Sequence, residues 1–494
     1  MIIAAQPELA DVKTRYNVPY IWTISLVAAL GGLLFGYDWV VIGGAKPFFE
    51  RFFQLTDAAQ KGWANSCALI GCLFGALMAG GLSDRFGRKR LLVLAALLFA
   101  VTSLGNGLAS SFAIFVFWRM LGGVAIGLAS NLSPMYIAEI APAELRGRLV
   151  AINQLTIVLG ILAAQFINYC IADQMPARAT EEFIRSSWNC RLGWRWMFGV
   201  TAIPSMFFFI GMFLVPESPR WLVKSGRSNQ ARGILARIGG DSYAGQAIAR
   251  IEATLVNEIQ KVHFRDLLEP KMKKVLFLGI ALAVFQQWCG INVIFNYAEE
   301  IFSAAGYDIS ETLKNIAWTG SVNLVFTFVA LGYVDRKGRR PLMLLGAGGL
   351  ALIYCVMGWC YHSGIKGWPM LFLVLAAIGC YAMSLAPVTW VVISEIFPNR
   401  IRGAAMSIAV MALWFACFVL TYTFPILNKG MGTPETGLGK SIVEVAPFLR
   451  NGLGPARIFW LYAAICVAGF LLILVRLPET KGKTLEEIEK ELVD

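Results

Sequence analysis

The sequence is short of charge. Asp, Glu, Lys and Arg make up 15% of its 494 residues, against 57% for the apolar set, whereas a soluble globular chain is about one quarter charged. Many apolar runs reach the ~20 residues that cross a bilayer, which argues against a large soluble helical protein. Histidine is scarce: His263 and His362 are the only two. Both are placed in loops, so no intramembrane Ser/His/Asp set of a membrane enzyme is in view. The glycine loop of an ATP-driven pump is missing too. Gly439-Lys440-Ser441 and Gly482-Lys483-Thr484 end correctly, but Pro434 and Leu477 stand where the first glycine is required. No two cysteines form a Cys-x-x-Cys pair. Cys67, Cys72, Cys289, Cys355, Cys360, Cys380, Cys417 and Cys466 read as small buried apolar residues, and Cys190 as unpaired in an outside loop. Residues 1–19 show no cleavable leader. The net charge is +12, but the basic residues cluster in short loops between apolar runs. That is the pattern of cytoplasmic membrane loops, not of a nucleic-acid surface. No nucleic-acid partner, metal or cofactor is expected.

What the chain does contain, it contains twice. Gly81-Leu82-Ser83-Asp84-Arg85-Phe86-Gly87-Arg88-Lys89-Arg90 is matched by Gly332-Tyr333-Val334-Asp335-Arg336-Lys337-Gly338-Arg339-Arg340-Pro341. Glu139-Ile140-Ala141-Pro142 followed by Arg146-Gly147-Arg148 is matched by Glu395-Ile396-Phe397-Pro398 followed by Arg402-Gly403. Pro216-Glu217-Ser218-Pro219-Arg220 closes the first half and Pro478-Glu479-Thr480-Lys481 the second. Three landmarks in one order mean a duplicated bundle. In a membrane, parallel halves of this kind are the architecture of major facilitator transporters.

The expected fold is therefore all-α: twelve transmembrane helices in two pseudo-symmetric six-helix halves, with short cytoplasmic helices. Spans are read at 19–46, 62–82, 91–109, 112–138, 149–171 and 194–215, then at 274–302, 313–334, 341–362, 368–394, 404–427 and 456–477. The division follows: residues 1–215 form the first bundle, 216–273 a cytoplasmic linker, 274–477 the second bundle and 478–494 a cytoplasmic tail. Within the linker, 231–238 and 247–262 have helical spacing. Loop charge puts both termini and the basic loops on the cytoplasmic face of the cell inner membrane. Gly71 with Gly75, and Gly123 with Gly127, are four apart on one helix face and read as close helix packing.

Charge inside a span is costly and marks function. Asp38 follows Gly36-Tyr37 in the first span, and Arg119 follows Trp118 in the fourth. A static buried ion pair is one reading. A proton site is the other: burial favours the neutral carboxyl, a neighbouring guanidinium favours the carboxylate, and the balance moves with water access. Amides gather in the seventh span at Gln286, Gln287 and Asn292, with Gln154 in the fifth and Asn323 in the eighth. One buried amide is readily an interhelical hydrogen bond. Several near midspan depth fit the hydroxyls of a neutral polyol, because amides both donate and accept. Trp390 and Trp414 supply faces for the C–H side of a sugar ring. Gly290, Gly306 and Pro387 interrupt their helices, which is tolerated at depth where the backbone lines a cavity.

These residues resemble the sugar porter family of the major facilitator superfamily, most closely its bacterial xylose–proton symporters, over almost the whole chain. The motifs are the paired Asp-Arg-x-Gly-Arg loops, Pro216-Glu217-Ser218-Pro219-Arg220-Trp221-Leu222, Gln286-Gln287 with Gly290-Ile291-Asn292, and Pro478-Glu479-Thr480-Lys481-Gly482. The resemblance implies sugar contacts at Gln154, Gln286, Gln287, Asn292 and Trp390, and proton coupling by Asp38 with Arg119. It implies a cytoplasmic gate built from Asp84, Arg85, Arg88, Glu139, Arg146, Glu217, Asp335, Arg336, Arg339, Glu395, Arg402 and Glu479, whose salt bridges hold the inside closed. The chain also departs from the family. Leu413 precedes Trp414 where an amide is usual, Ala386 replaces a glycine before Pro387, and Asn296 replaces an outer-gate tyrosine. Ile161 and Phe295 make two pocket edges apolar, as in glucose carriers. The expected function is import of a monosaccharide, D-xylose or a hexose such as glucose, by a monomer in symport with protons; a facilitative uniporter is the alternative. A sensor of this fold is set aside on the short tail after Lys483.

Overall fold

The computed structural model describes residues 15–176, 179–257, 269–397, 402–430 and 452–481, without the side chains of 255–257, 270–271, 334–336 and 402–403. Twelve of its helices are long and apolar enough to cross a membrane, and there is no strand among the described residues. The first half comprises α1 (Val18–Phe52), α2 (Ala58–Phe86), α3 (Arg88–Leu108), α4 (Phe112–Ile140), α5 (Ala143–Ile171) and α6 (Asn189–Leu214). Then follow α7 (Pro219–Lys224) and α8 (Ser228–Asn257). The second half runs through α9 (Pro270–Trp288), α10 (Ile291–Asn296), α11 (Ala298–Ala304), α12 (Ile309–Lys337), α13 (Arg339–His362), α14 (Trp368–Met383), α15 (Leu385–Ile396), α16 (Arg402–Lys429) and α17 (Gly454–Arg476).

The helices begin where local chemistry allows. Asn17 caps α1, its side chain accepting from the Tyr20 amide at 3.3 Å, and Ser111 caps α4 through the Ile114 amide at 3.4 Å. Asp308 and Glu311 form a reciprocal capping box at the start of α12. With 35 residues, α1 is about 50 Å long, so it projects beyond a ~30 Å hydrocarbon core.

The two halves pack by one scheme. In the first, α1 lies on α5, α2 on α4, and α3 on α6. In the second, α9 lies on α16, α12 on α14, and α13 on α17. Between halves, α2 meets α16 and α5 meets α12. Glycine permits the tightest approach. A methyl group at Gly71 would strike the Met120 carbonyl, and one at Gly123 the Ala68 carbonyl, so the glycines expected to allow close helix packing do so, between α2 and α4. Gly123→Val should lower stability by about 1–3 kcal/mol through overpacking, read as an earlier thermal loss of monodisperse protein.

Several elements differ from the sequence expectation. The seventh span breaks at Gly290 as expected, with a left-handed φ of 88°, but breaks again at Tyr297. The tenth breaks at Ser384, three residues ahead of Pro387. Pro387 falls in the first turn of α15, where its missing N–H has no partner to lose. The linker carries two helices within 228–257 that meet at a kink at Gly240, whose φ is 85°. Cys190 is not in a loop: it lies buried in the π-helical start of α6, with its thiol toward the Phe48 carbonyl at 3.3 Å. Cys355 is exposed rather than buried. The tail beyond Lys481 and His263 lie outside the described residues.

Candidate functional site

Asp38 and Arg119 are brought together. The Arg119 Nη1 lies 3.2 Å from each Asp38 carboxylate oxygen and 3.5 Å from its backbone carbonyl. Their exposures are 4% and 2%, so the pair is dry. The Arg119 guanidinium carbon also lies 5.5 Å from the centre of the Phe198 ring. A cleft beside Arg119 is lined by Trp39, Asn65, Cys72 and, from the second half, Asn296. The pair therefore sits at the seam between the halves.

The amides of the broken seventh span form a chain. Gln286 donates to the Tyr381 hydroxyl at 2.9 Å, Gln287 donates to the Gln286 carbonyl at 2.6 Å, and Asn292 donates to the Gln287 carbonyl. Gly290 makes this possible: its left-handed turn brings Asn292 back onto Gln287 across the break. Trp414 is 5% exposed and meets first-half aromatics, Phe35 at 6.1 Å and Trp39 at 5.8 Å between ring centres. Phe295 and Asn323 are buried, and Gln154 and Ile161 are half-buried. Trp390 is 39% exposed on α15; neither it nor Gln154, Ile161 or Asn323 is hydrogen-bonded through its side chain to the amide chain. Tyr381, Phe35 and Trp39 were missed. Their side chains are ordinary for a membrane helix, and only the packing of distant helices reveals them.

The repeated loops build one charged corner per half. In the first, Arg88 pairs with Glu139 at 3.0 Å and with Asp84 at 3.3 Å. Glu139 also accepts from the Ser218 hydroxyl at 2.5 Å, and Glu217 accepts from the Arg88 and Lys89 amides at 3.0 and 3.1 Å. In the second, Arg339 pairs with Glu395 at 3.3 Å, Glu395 accepts from Thr480 at 2.6 Å, and Glu479 accepts from the Arg339 and Arg340 amides at 2.9 and 3.1 Å. Each helix-starting carboxylate meets the positive end of a helix dipole. Gly87 and Gly338 have φ of 93° and 92°, and a side chain at either would collide with Glu217 or Glu479. Arg85 and Arg146 are exposed. The side chains of Asp335, Arg336 and Arg402 lie outside the described residues. The ion pairs described in each corner stay within their own half.

Contacts between halves concentrate at the end opposite the basic loops. Gln165 donates to Thr319 at 3.2 Å, Ser310 accepts from the Met175 amide at 2.8 Å, and the Trp63 and Phe418 rings meet at 6.4 Å. The bundle is thus closed at that end, above the amides.

This geometry agrees with a family model. The model described as "Sugar (and other) transporter" matches residues 24–492. The chain belongs to the sugar transporter family. It is 39% identical to the D-xylose-proton symporter of Escherichia coli K12, covering 97% of this chain and 96% of the relative. It is 36% identical to the arabinose-proton symporter of Bacillus subtilis, covering 97% and 96%, and 36% identical to a glucose transport protein of Synechocystis, covering 98% and 100%. Among solved structures, a partially occluded inward-open form of the E. coli xylose transporter XylE superposes with a TM-score of 0.78 at 36% identity, covering 94% of this chain and 100% of that one. The sugar transporter described here is accordingly a multi-pass plasma-membrane protein with the major facilitator fold, and not an enzyme.

Proposed function

We propose that this protein imports a monosaccharide together with a proton by alternating access. The observation that carries the reading is the dry Asp38–Arg119 pair, placed one residue from Trp39, which touches Trp414 at the head of the amide and aromatic site. The relatives named for xylose–proton and arabinose–proton symport support it. The basic-loop end is the cytoplasmic one on loop charge, with both termini there, so the closed end faces outward and this is an inward-facing state.

In this reading, residues 1–215 and 274–477 are the two moving bodies. The sugar hydroxyls replace bonds within the Tyr381–Gln286–Gln287–Asn292 chain, and its C–H face lies on Trp414 and Trp390. Ile161 and Phe295 edge the pocket, with Gln154 and Asn323 completing it. The helix that carries Asn292 also carries Asn296 to the cleft beside Arg119, so sugar and proton act on one short segment, α10. Protonation of Asp38 removes the charge from its bond to Arg119 and weakens a charge-assisted contact. The charged corners keep each half rigid while the halves rock. Purified protein in liposomes under an imposed pH gradient tests this, with xylose, glucose, arabinose and galactose compared. At least one should accumulate and alkalinise the medium as it enters; sugar entry without proton movement would make the protein a uniporter, and entry of none would end the sugar reading.

A further inference from the structure

Lys46 is a lysine with no solvent exposure, on α1 two turns beyond Asp38. Three groups face its ammonium. Glu50, one turn along the same helix, lies 3.7 Å away. Glu300, on α11 of the other half, makes a close ion pair with it. The Tyr297 ring, also from the other half, lies 4.3 Å beneath it. Glu50 in turn pairs with Lys61 of α2 at 3.1 Å. Glu299 and Lys429 also act on Lys46 electrostatically. One turn before Lys46, Gly43 faces the Phe295 carbonyl so closely that a methyl group would not fit. This is where the two halves touch at the closed end, and charge has been sealed into it.

We infer that Lys46 and Glu300 form a latch that holds the outer end shut and sets the balance between outward- and inward-facing states. Two features make it a switch rather than a static bridge. First, the partners divide unequally. Glu50 and Lys61 travel with Lys46, whereas Glu300 and Tyr297 belong to the opposing half. Opening the outer end therefore breaks one ion pair and one cation–π contact and leaves Lys46 still paired with Glu50, so no buried charge is stranded. Second, Glu300 borders a cavity of about 330 Å³ at this end, lined also by Asp57, Lys61, Asn428 and Lys429. On separation its carboxylate passes into a polar, cation-lined space rather than into lipid. Burial leaves the closed pair much less screened by salt than a surface pair, while the retained Glu50 keeps the open state accessible. Lys46 touches neither sugar nor the proton site; it is a positioning residue for the cycle.

The inference rests on the transport reading for its kinetics, but its decisive test needs no sugar. Spin labels would be placed at Gln60 and Lys366, exposed positions at the outer ends of the first and second halves, with the exposed Cys170 and Cys355 replaced by serine. Lys46→Met leaves Glu50 with Lys61 but takes the counter-charge from Glu300, a cost that falls on the closed form, where the Glu300 carboxylate has not yet passed into the polar cavity. It should raise the long-distance, outward-open population about fivefold or more. Glu300→Gln should do the same should the lysine variant fail to purify. Because the two residues act as one pair, the double variant should match either single one. In liposomes the same variants should lower the apparent KM for sugar offered from outside and raise it from inside, a split that general destabilisation does not produce. Unchanged distance distributions, or additive effects in the double variant, would overturn the latch. Failure of all tested sugars to enter would instead count against the transport reading, with the distance result still standing.

Discussion

Asp38→Asn is expected to abolish uphill accumulation while exchange of sugar across the membrane continues. A one-unit pH gradient stores about 1.4 kcal/mol per proton, enough for ~tenfold accumulation of sugar at one proton each. The variant lacks the carboxyl beside Arg119, so its accumulation ratio should fall to about one. Exchange survives because Asn offers a carbonyl to Arg119 in place of the two carboxylate contacts at 3.2 Å. The cost appears elsewhere. Arg119, 2% exposed, loses its counter-charge, and breaking a buried pair typically costs 3–5 kcal/mol. The variant should therefore also denature earlier in detergent. Counterflow of labelled sugar in liposomes without a gradient separates the two effects: intact counterflow with lost accumulation supports proton coupling at Asp38, whereas full accumulation in the variant rejects it.

Gln287→Ala should weaken sugar binding by about one to two orders of magnitude with little change in expression. Gln287 is the middle link of the chain, donating to Gln286 and accepting from Asn292. Its removal leaves two buried amides each short of a partner, at about 1–3 kcal/mol for an unsatisfied group, and takes away its own contact with the ligand. Isothermal titration with the transported sugar measures the loss. A variant with unchanged affinity would move the binding site away from the broken seventh span.

The membrane helices were legible because hydrophobic length is a local property, written residue by residue. The charged corners were legible because they occur twice: the match of Asp84-Arg85-Phe86-Gly87-Arg88 to its second copy exposes both. Their wiring was not. Glu139 pairs with Arg88, and Glu395 with Arg339, each within its own half. Pairing across distant helices depends on packing, which motif spacing does not encode. Helix breaks were located only in part: Gly290 and Pro387 are marked by residue type, α14 ending at Met383, the residue whose carbonyl Pro387 cannot bond, whereas the break at Tyr297 carries no such mark. Lys46 stood at the edge of a span, where a lysine ordinarily reaches for the headgroups. Its burial comes from α1 continuing to Phe52 and from a carboxylate more than 250 positions away in the chain, at Glu300. Asp38 and Arg119 were found by cost alone, since a charge at depth needs a reason.

The corner contacts carry a consequence for biogenesis. The Glu217 carboxylate that starts α3 lies 129 positions beyond the Arg88 amide it binds, and Glu479 lies 140 beyond Arg339. During synthesis, then, α3 and α13 enter the bilayer with uncapped first turns and guanidinium groups lacking their final shell. Each half completes its polar end only when its sixth span has cleared the insertion machinery. Until then the nascent bundle exposes a basic, incompletely bonded face, and that interval is when a quality-control protease or a membrane chaperone would find something to hold.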